Sequence, residues 1–351
     1  MDMDDLKTRL DSTLQAFRST ANPDDIAHLD RLIDEAHSQA SQLLDKSSSN
    51  PIANRELARI RGLLDPAQRF SPIDLHDISV SNEGEIVGDG KYETLDAGWA
   101  EAAIQWIRYK NNRASFPPIS KVAPQVITIP DNLTIAIVGD WGTGTKWRTD
   151  GLPTPAAKVA GIVRSKQPDV TIHLGDVYYA GSASESQSNF VADWPLGRFG
   201  SFALNSNHEM YSGAWGYQQV TLKSASFIRQ QGSRCFLLRN SNWLIVGLDS
   251  AYASDWSTLY QNGKFDDDQL IFLTRIAATA GTRQIILLTH HNGLSLDGGT
   301  PQPLWTQALK ALGGQPARWY WGHAHAAASY RSCDGVLARC CGHGAIPAGI
   351  P

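Results

Sequence analysis

The chain has 351 residues, 42% hydrophobic and 19% charged, with a formal net charge of −4. That supplies one large core or two smaller ones, and the slightly acidic balance argues against nucleic acid or an acidic membrane as main partner. No apolar run reaches the roughly 18 residues of a membrane span, and the four cysteines lack zinc-ribbon spacing, so they read as reduced core thiols rather than a disulfide framework.

The acidic, amphipathic start MDMDDLKTRL does not resemble a secretory signal, so a cytoplasmic protein is expected. Leu6, Leu10, Leu14 and Phe17, then Ile26, Leu29, Leu32 and Ile33, recur at helical spacing and predict two amphipathic helices separated at Asn22-Pro23. A serine-rich loop leads to a third short helix, Ala53 to Leu64, ending before Pro66. Nothing there has the spacing of a ligand set, so His28, His37 and His76 read as surface or packing residues of a structural appendage. Leu95 to Arg113 predicts another helix with Trp99, Ile104 and Trp106 on its apolar side; Pro117-Pro118 and the run Val122 to Pro130 then read as a connector. Residues 1–125 are thus expected to form a helical extension and connector, and 126–351 the main domain.

From Leu133 the pattern changes. Leu133 to Val138 predicts a strand, Pro155 to Ser165 a helix, and Val170 to Leu174, Leu244 to Leu248, Gln284 to Leu288, Trp319 to Trp321 and Val336 to Cys341 further strands. Strands alternating with helices predict an α/β fold whose largely parallel or mixed sheet is covered on both faces. The stretch VTIHLGDVYY, Val170 to Tyr179, runs an apolar strand straight into Asp176, at the edge where open α/β sheets collect ligands. Gly139-Asp140-Trp141-Gly142, Ser206-Asn207-His208-Glu209, Thr289-His290-His291 and Gly322-His323-Ala324-His325 also follow apolar runs or lie on loops after them. Carboxylate, amide and imidazole donors without thiolates suit a pair of cations such as Fe, Zn or Mn. A single Asp such as Asp176 has two oxygens with which to bridge ions about 3.5 to 4 Å apart.

The order GDxG, GDxxY, NHE, a His-bearing strand end and GHxH, over about residues 134–345, resembles the calcineurin-like metallophosphoesterases, and specifically their purple acid phosphatase branch. The resemblance implies a four-layer α-β-β-α sandwich of two mixed sheets, here with an N-terminal helical extension, and predicts strands beyond Pro351, as in a truncated form. It implies two divalent or trivalent ions, Fe with Fe, Zn or Mn. Asp140 and His325 would bind the first and Asn207, His290 and His323 the second, with Asp176 between them. His323 and His325 would face the cluster together if their backbone were extended. Gly142 stands where the commoner family pattern has a histidine. Tyr179, three residues beyond Asp176, fits the branch's Fe(III)-binding tyrosinate. A metal-bound hydroxide would be the nucleophile and His208 the general acid. Ser206 replaces a glycine common in the family, and a positive φ there would cost about 1 kcal/mol.

The remaining residues leave alternatives open. Glu209 either holds a ligand through a hydrogen bond or is a solvated carboxylate. His291, Lys146 and Arg148 are the candidate substrate contacts; His291 is alternatively a packing residue, and the loop Gly142 to Arg148 either cradles phosphate through its N–H groups or is a mobile polar loop. Trp141, Trp147, Trp194, Trp215 and Trp256 either rim the site or fill cores. His173 reads as a buried, hydrogen-bonded core residue, and His343 as lying in a late turn. The expected activity is hydrolysis of a small-molecule phosphomonoester; the alternatives are a phosphodiesterase for cyclic nucleotides or other small diesters, and a scaffold with a degraded metal site. No nucleic-acid or membrane partner is expected, and the oligomeric state is open.

Overall fold

The computed structural model describes residues 99–119, 124–331 and 335–346, with scattered positions before residue 99. The helices expected over residues 1–46 and 53–64 lie almost wholly outside the described residues. The chain divides into two compact units, Met1–Ile107 with Pro347–Pro351, and Arg108–Ile346. In the first unit, β1 (Ser79–Val80) pairs antiparallel with β2 (Ile86–Val87); helix α1 (Trp99–Tyr109) passes its last two residues into the second unit.

The second unit is built on two sheets. β4 (Ile135–Val138), β5 (Val170–His173) and β6 (Gly200–Ala203) form a three-stranded sheet in the order β4-β5-β6, parallel throughout. The remaining strands are β3 (Val126–Thr128), β7 (Phe236–Arg239), β8 (Trp243–Gly247), β9 (Gln284–Leu288), β10 (Arg318–Trp321), β11 (Ala327–Ser329) and β12 (Leu337–Cys341). They form a seven-stranded mixed sheet in the order β11-β12-β10-β9-β8-β7-β3. Its centre, β8-β9-β10-β12, is parallel; β7 and β11 join antiparallel.

The run Val122 to Pro130, expected to be a connector, contains β3, which pairs parallel with β7 through Val126↔Leu237. Prolines at 124 and 130 bracket it, and a three-residue edge strand is where flanking prolines cost no ladder hydrogen bond.

Period-two alternation explains how the sheets stack. Val170, Ile172 and Leu174 point to one side of β5 and, with Phe202 and Leu204 from the neighbouring β6 segment, pack with Phe236, Leu238, Ile245 and Leu288 of the other sheet. Thr171 and His173 point to the other side, where the Thr171 hydroxyl accepts from Trp194 Nε1 at 2.9 Å and the His173 ring lies 4.3 Å from that of Phe190. Helix α2 (Pro155–Ser165) covers this outer face with Ala156 and Ala160, alongside Trp141, Phe190, Trp194 and Phe227. Thr154 starts the helix by accepting from Ala157 N, and Pro155 occupies its first turn.

Helix α3 (Asn207–Tyr211) is one short turn after β6. Helix α4 (Asp267–Thr279) and helix α5 (Pro303–Leu312) cover the outer face of the larger sheet. Leu273 and Ile276 of α4 and Leu304, Trp305 and Ala308 of α5 meet Leu244, Val246, Leu287, Trp319 and Trp321. Each large side chain so buried contributes about 1.5–3 kcal/mol relative to exposure. The layers therefore run helix, sheet, sheet, helix, and the carboxyl ends of β4, β5, β6, β9 and β10 lead into the loops that carry the polar cluster.

Candidate metal centre

Asp140 follows β4 and Asp176 follows β5, both buried, and their loops are clamped by backbone hydrogen bonds. Asp140 N–H donates to Gly175 O at 2.9 Å, Gly142 N–H to Asp176 O at 3.1 Å and Tyr178 N–H to Gly142 O at 3.0 Å. The role of Gly142 follows from this contact: a Cβ there would lie 2.5 Å from Asp176 O and 2.6 Å from Val177 Cα. No histidine fits where the commoner family pattern has one. Gly175 is equally constrained, at φ 105° with space for no side chain beside Ser206 and His290.

Asp140 (φ 58°), Asp176 (φ 76°), His323 (φ 67°) and His325 (φ 45°) all adopt the left-handed conformation. Each such non-glycine residue costs about 1–3 kcal/mol, and strain of this kind concentrates where a site dictates side-chain direction. His323 and His325 were expected to share a face through extended backbone. They lie instead on a tight bend after β10 and diverge: the His323 ring stands 5.0 Å from that of His290, while His325 Nε2 lies 3.5 Å from Asp140 Oδ1 and 3.8 Å from Asp176 Oδ2.

Two donor groups result. Asp140, Asp176 and His325 form one, and His290, His291 and His323 the other, each with ligand atoms within 4.8 Å of one another. His291 belongs to the second by position only. Its Nε2–H donates to Tyr260 O at 2.7 Å and its Nδ1 accepts from the Ser250 hydroxyl at 2.9 Å, so both nitrogens are engaged. The expected substrate contact at His291 is therefore not made by its ring nitrogens: the ring is pinned as a wall of the site.

Asn207 takes the open place in the second group. His290 Nδ1–H donates to Leu174 O at 3.0 Å, which leaves the Nε2 lone pair 2.7 Å from Asn207 Oδ1 and 3.3 Å from Asp176 Oδ1. Burial pushes the His290 pKa down to about 3, so no proton fills that gap. Asp176 Oδ1 is buried without a hydrogen-bond partner among the described residues. Three lone-pair atoms thus converge with no hydrogen between them. The opposite amide orientation would let Asn207 donate to His290; the orientation found turns Oδ1 toward the gap, a donor set that suits a cation. Burial, then the charge of Asp176, raises the pKa of Asp140 well above the usual carboxylate range. No lysine or arginine among the described residues pairs with either group, so no fixed positive charge faces the two buried acids. The residues fit a pair of ions.

The phenol brought to the first group belongs to Tyr178, not to Tyr179 as the spacing suggested. Tyr178 O–H donates to Asp176 Oδ2 at 2.8 Å, and its oxygen lies 3.0 Å from His325 Nε2 and 3.5 Å from Asp140 Oδ1. Tyr179 serves the site through its backbone, its N–H donating to Glu185 and its carbonyl accepting from His208 Nδ1–H at 2.7 Å. That bond turns His208 Nε2 toward the cluster, 3.8 Å from Asp176 Oδ2. Glu185 also accepts from Ala180 N–H, Ser182 N–H and the Ser182 hydroxyl, fixing the whole loop.

Ser206 has φ −138°, so the strain foreseen there does not arise; its hydroxyl caps α3 by accepting from His208 N–H at 3.0 Å. Glu209 is buried, accepting from the Ser206 hydroxyl and from Asp176 N–H at 3.3 Å, and burial pushes its pKa up to about 8. Asp249, which sequence reasoning missed, accepts from Asn205 Nδ2 at 3.1 Å and from Ala251 and Tyr252 N–H at 2.9 Å, with Arg234 3.6 Å away. It brackets the loop before Asn207, and it too follows an apolar strand, the signal that singled out Asp140 and Asp176.

Other expected contacts fall elsewhere. Lys146 is turned to Asp193 at 3.4 Å and Arg148 is paired with Asp150. The N–H groups of Gly142, Thr143 and Gly144 donate to backbone carbonyls, so they cradle no phosphate. Trp141 and Trp194 are core residues. His173 is buried as expected, but against Phe190 and Trp194, and its ring nitrogens find no hydrogen-bond partner among the described residues. His343 is exposed.

Two facing sheets between helices, with carboxylate, amide and imidazole donors gathered at the strand ends, define a metallophosphoesterase fold and centre. The family model of calcineurin-like phosphoesterases matches residues 133–327, more than half of the chain, and the chain belongs to that family. No curated protein matches it. Among solved structures it is similar to a dimetal phosphatase from Danio rerio, 15% identical, over 59% of this chain and 86% of that one, with a TM-score of 0.43. It is also similar to GAP50, the anchor in the inner membrane complex of Plasmodium, 12% identical, over 62% of this chain and 75% of that one, with a TM-score of 0.44. Among the described residues no helix is long and apolar enough to cross a membrane.

Proposed function

We propose that the protein is a dinuclear metal-dependent phosphoesterase acting on small-molecule phosphomonoesters. The observation that carries this reading is the convergence of Asn207 Oδ1, His290 Nε2 and the buried Asp176 Oδ1, which has no hydrogen-bond partner among the described residues, beside the Asp140, Asp176 and His325 group. Asp140 and His325 would hold one ion, Asn207, His290 and His323 the other, with one Asp176 oxygen toward each.

When bound, such ions neutralise phosphoryl oxygens and make water a stronger nucleophile. The chain's own residues do the rest. Glu209 and Glu185 hold the loop from Asp176 to Ser182 by accepting from its backbone N–H groups, and Tyr179 O of that loop holds the His208 ring. His208, its Nδ1–H committed to Tyr179 O, turns Nε2 to the departing alcohol oxygen; burial lowers its pKa, so Nε2 must take up a proton, as imidazolium, before it passes one to that oxygen.

The acid phosphatase variant of this reading assigns the metal-binding phenolate to Tyr178, with iron as the partner ion, because only a strongly Lewis-acidic ion holds a buried phenol deprotonated. Burial and then the charge of Asp176 raise the Tyr178 pKa well above the ordinary tyrosine value. Metal-reconstituted protein is to be assayed on a monoester and a diester of one aryl alcohol. Faster cleavage of the monoester supports the reading; faster cleavage of the diester replaces it with a phosphodiesterase. Cleavage of neither, with less than one ion bound per chain, leaves a scaffold.

A further inference from the structure

Tyr211 closes α3 with its side chain against the second donor group. Its ring is 7% exposed and stands edge-on to that of His208, with centroids 4.9 Å apart. Its oxygen accepts from two amides, Asn207 Nδ2 and Gln261 Nε2, each at 3.2 Å. A phenol oxygen has two lone pairs and one proton. Both pairs are used, and no acceptor for the proton is found among the described residues.

The position of that proton follows from Asn207. Nδ2 and Oδ1 are the two ends of one planar amide, and Oδ1 is the end 2.7 Å from His290 Nε2. The Tyr211 hydroxyl therefore sits one amide width from the second cation place. While Oδ1 is committed there, Tyr211 cannot donate to Asn207 and can only receive from it. A tyrosine hydroxyl ordinarily loses its proton only near pH 10, so there is a proton to place throughout the neutral range.

We infer that Tyr211 donates its O–H to an oxygen of a phosphoryl group bound beside Asn207 and His290. The assignment rests on the phosphoesterase reading above and deepens it. It supplies a neutral donor to an anionic acceptor, a strong class of hydrogen bond, in a site where no lysine or arginine is described. Gln261, an exposed residue reached only in the fold, fixes the direction by occupying the second lone pair.

The test uses inorganic phosphate as probe and the full metal-loaded chain, with calorimetric binding and metal analysis run together. Tyr211→Phe keeps the ring and is expected to weaken phosphate binding about 10- to 100-fold with the metal content unchanged. Gln261→Glu, outside the metal set, gives the hydroxyl a competing carboxylate acceptor and is expected to weaken phosphate in the same direction; Gln261→Leu is expected to change it less than about threefold. Phosphate affinity within twofold of wild type in both Tyr211→Phe and Gln261→Glu overturns the assignment. Loss of an ion from Tyr211→Phe also overturns it, since the phenol would then act by holding Asn207. If the wild-type protein binds phosphate and cleaves no ester, the functional reading fails while the Tyr211 assignment is still decided by these affinities.

Discussion

The hydroxyl of Tyr178 donates to Asp176 Oδ2 at 2.8 Å, and the same oxygen lies 3.0 Å from His325 Nε2. This phenol stands where Gly142 leaves the first donor group without an imidazole, and the two facts are linked, because the Tyr178 loop is pressed against Gly142.

A spectroscopic test follows. If the chain takes up iron, its visible charge-transfer band is expected to vanish in Tyr178→Phe and to persist in Tyr179→Phe. A band lost only in Tyr179→Phe returns the phenolate to the later residue.

Gly142→Ala is expected to cost about 1–3 kcal/mol, because the added methyl meets Asp176 O and Val177 backbone atoms rather than a yielding side chain. Denaturant unfolding of the metal-free protein measures this, and it separates backbone crowding from ion loss. An alanine variant as stable as wild type would show that the two loops yield.

His290 and His291 are adjacent in sequence and predicted to differ in kind. His290→Ala removes a proposed ligand and is expected to lose one ion per chain. His291→Ala leaves Tyr260 O and the Ser250 hydroxyl without their ring partner; it is expected to cost about 1–3 kcal/mol while both ions stay. Metal analysis and a melting curve on the two variants check the contrast.

Asp249→Ala is expected to cost about 3–5 kcal/mol, since it strips Asn205 and two backbone N–H groups of an acceptor and leaves the buried Arg234 with Asp266 alone. Chemical denaturation of the chelated protein reads the loss; a change below about 1 kcal/mol would show that the bracket is dispensable.

Asp140, Asp176, Asn207, His290, His323 and His325 could be picked from the sequence because each lies just beyond an apolar strand or its loop, and strand ends are where this architecture gathers ligands. Direction was not legible. Spacing carries a phenol near Asp176 but does not say whether residue 178 or 179 turns inward. His291 is pinned by Ser250 and Tyr260, more than thirty residues upstream, which no local pattern reveals. The close approach that makes Gly142 obligatory exists only once β4 and β5 lie side by side. Strand β3 was hidden because three residues between prolines look like a linker until β7 pairs with them.

The most direct measurement is the number of ions bound per chain after reconstitution, compared between wild type, His290→Ala and Asp176→Ala. Two ions in wild type, about one in His290→Ala and fewer than one in Asp176→Ala are expected. Two ions retained by Asp176→Ala, or fewer than one in wild type, would contradict a shared carboxylate at the centre of a two-ion site.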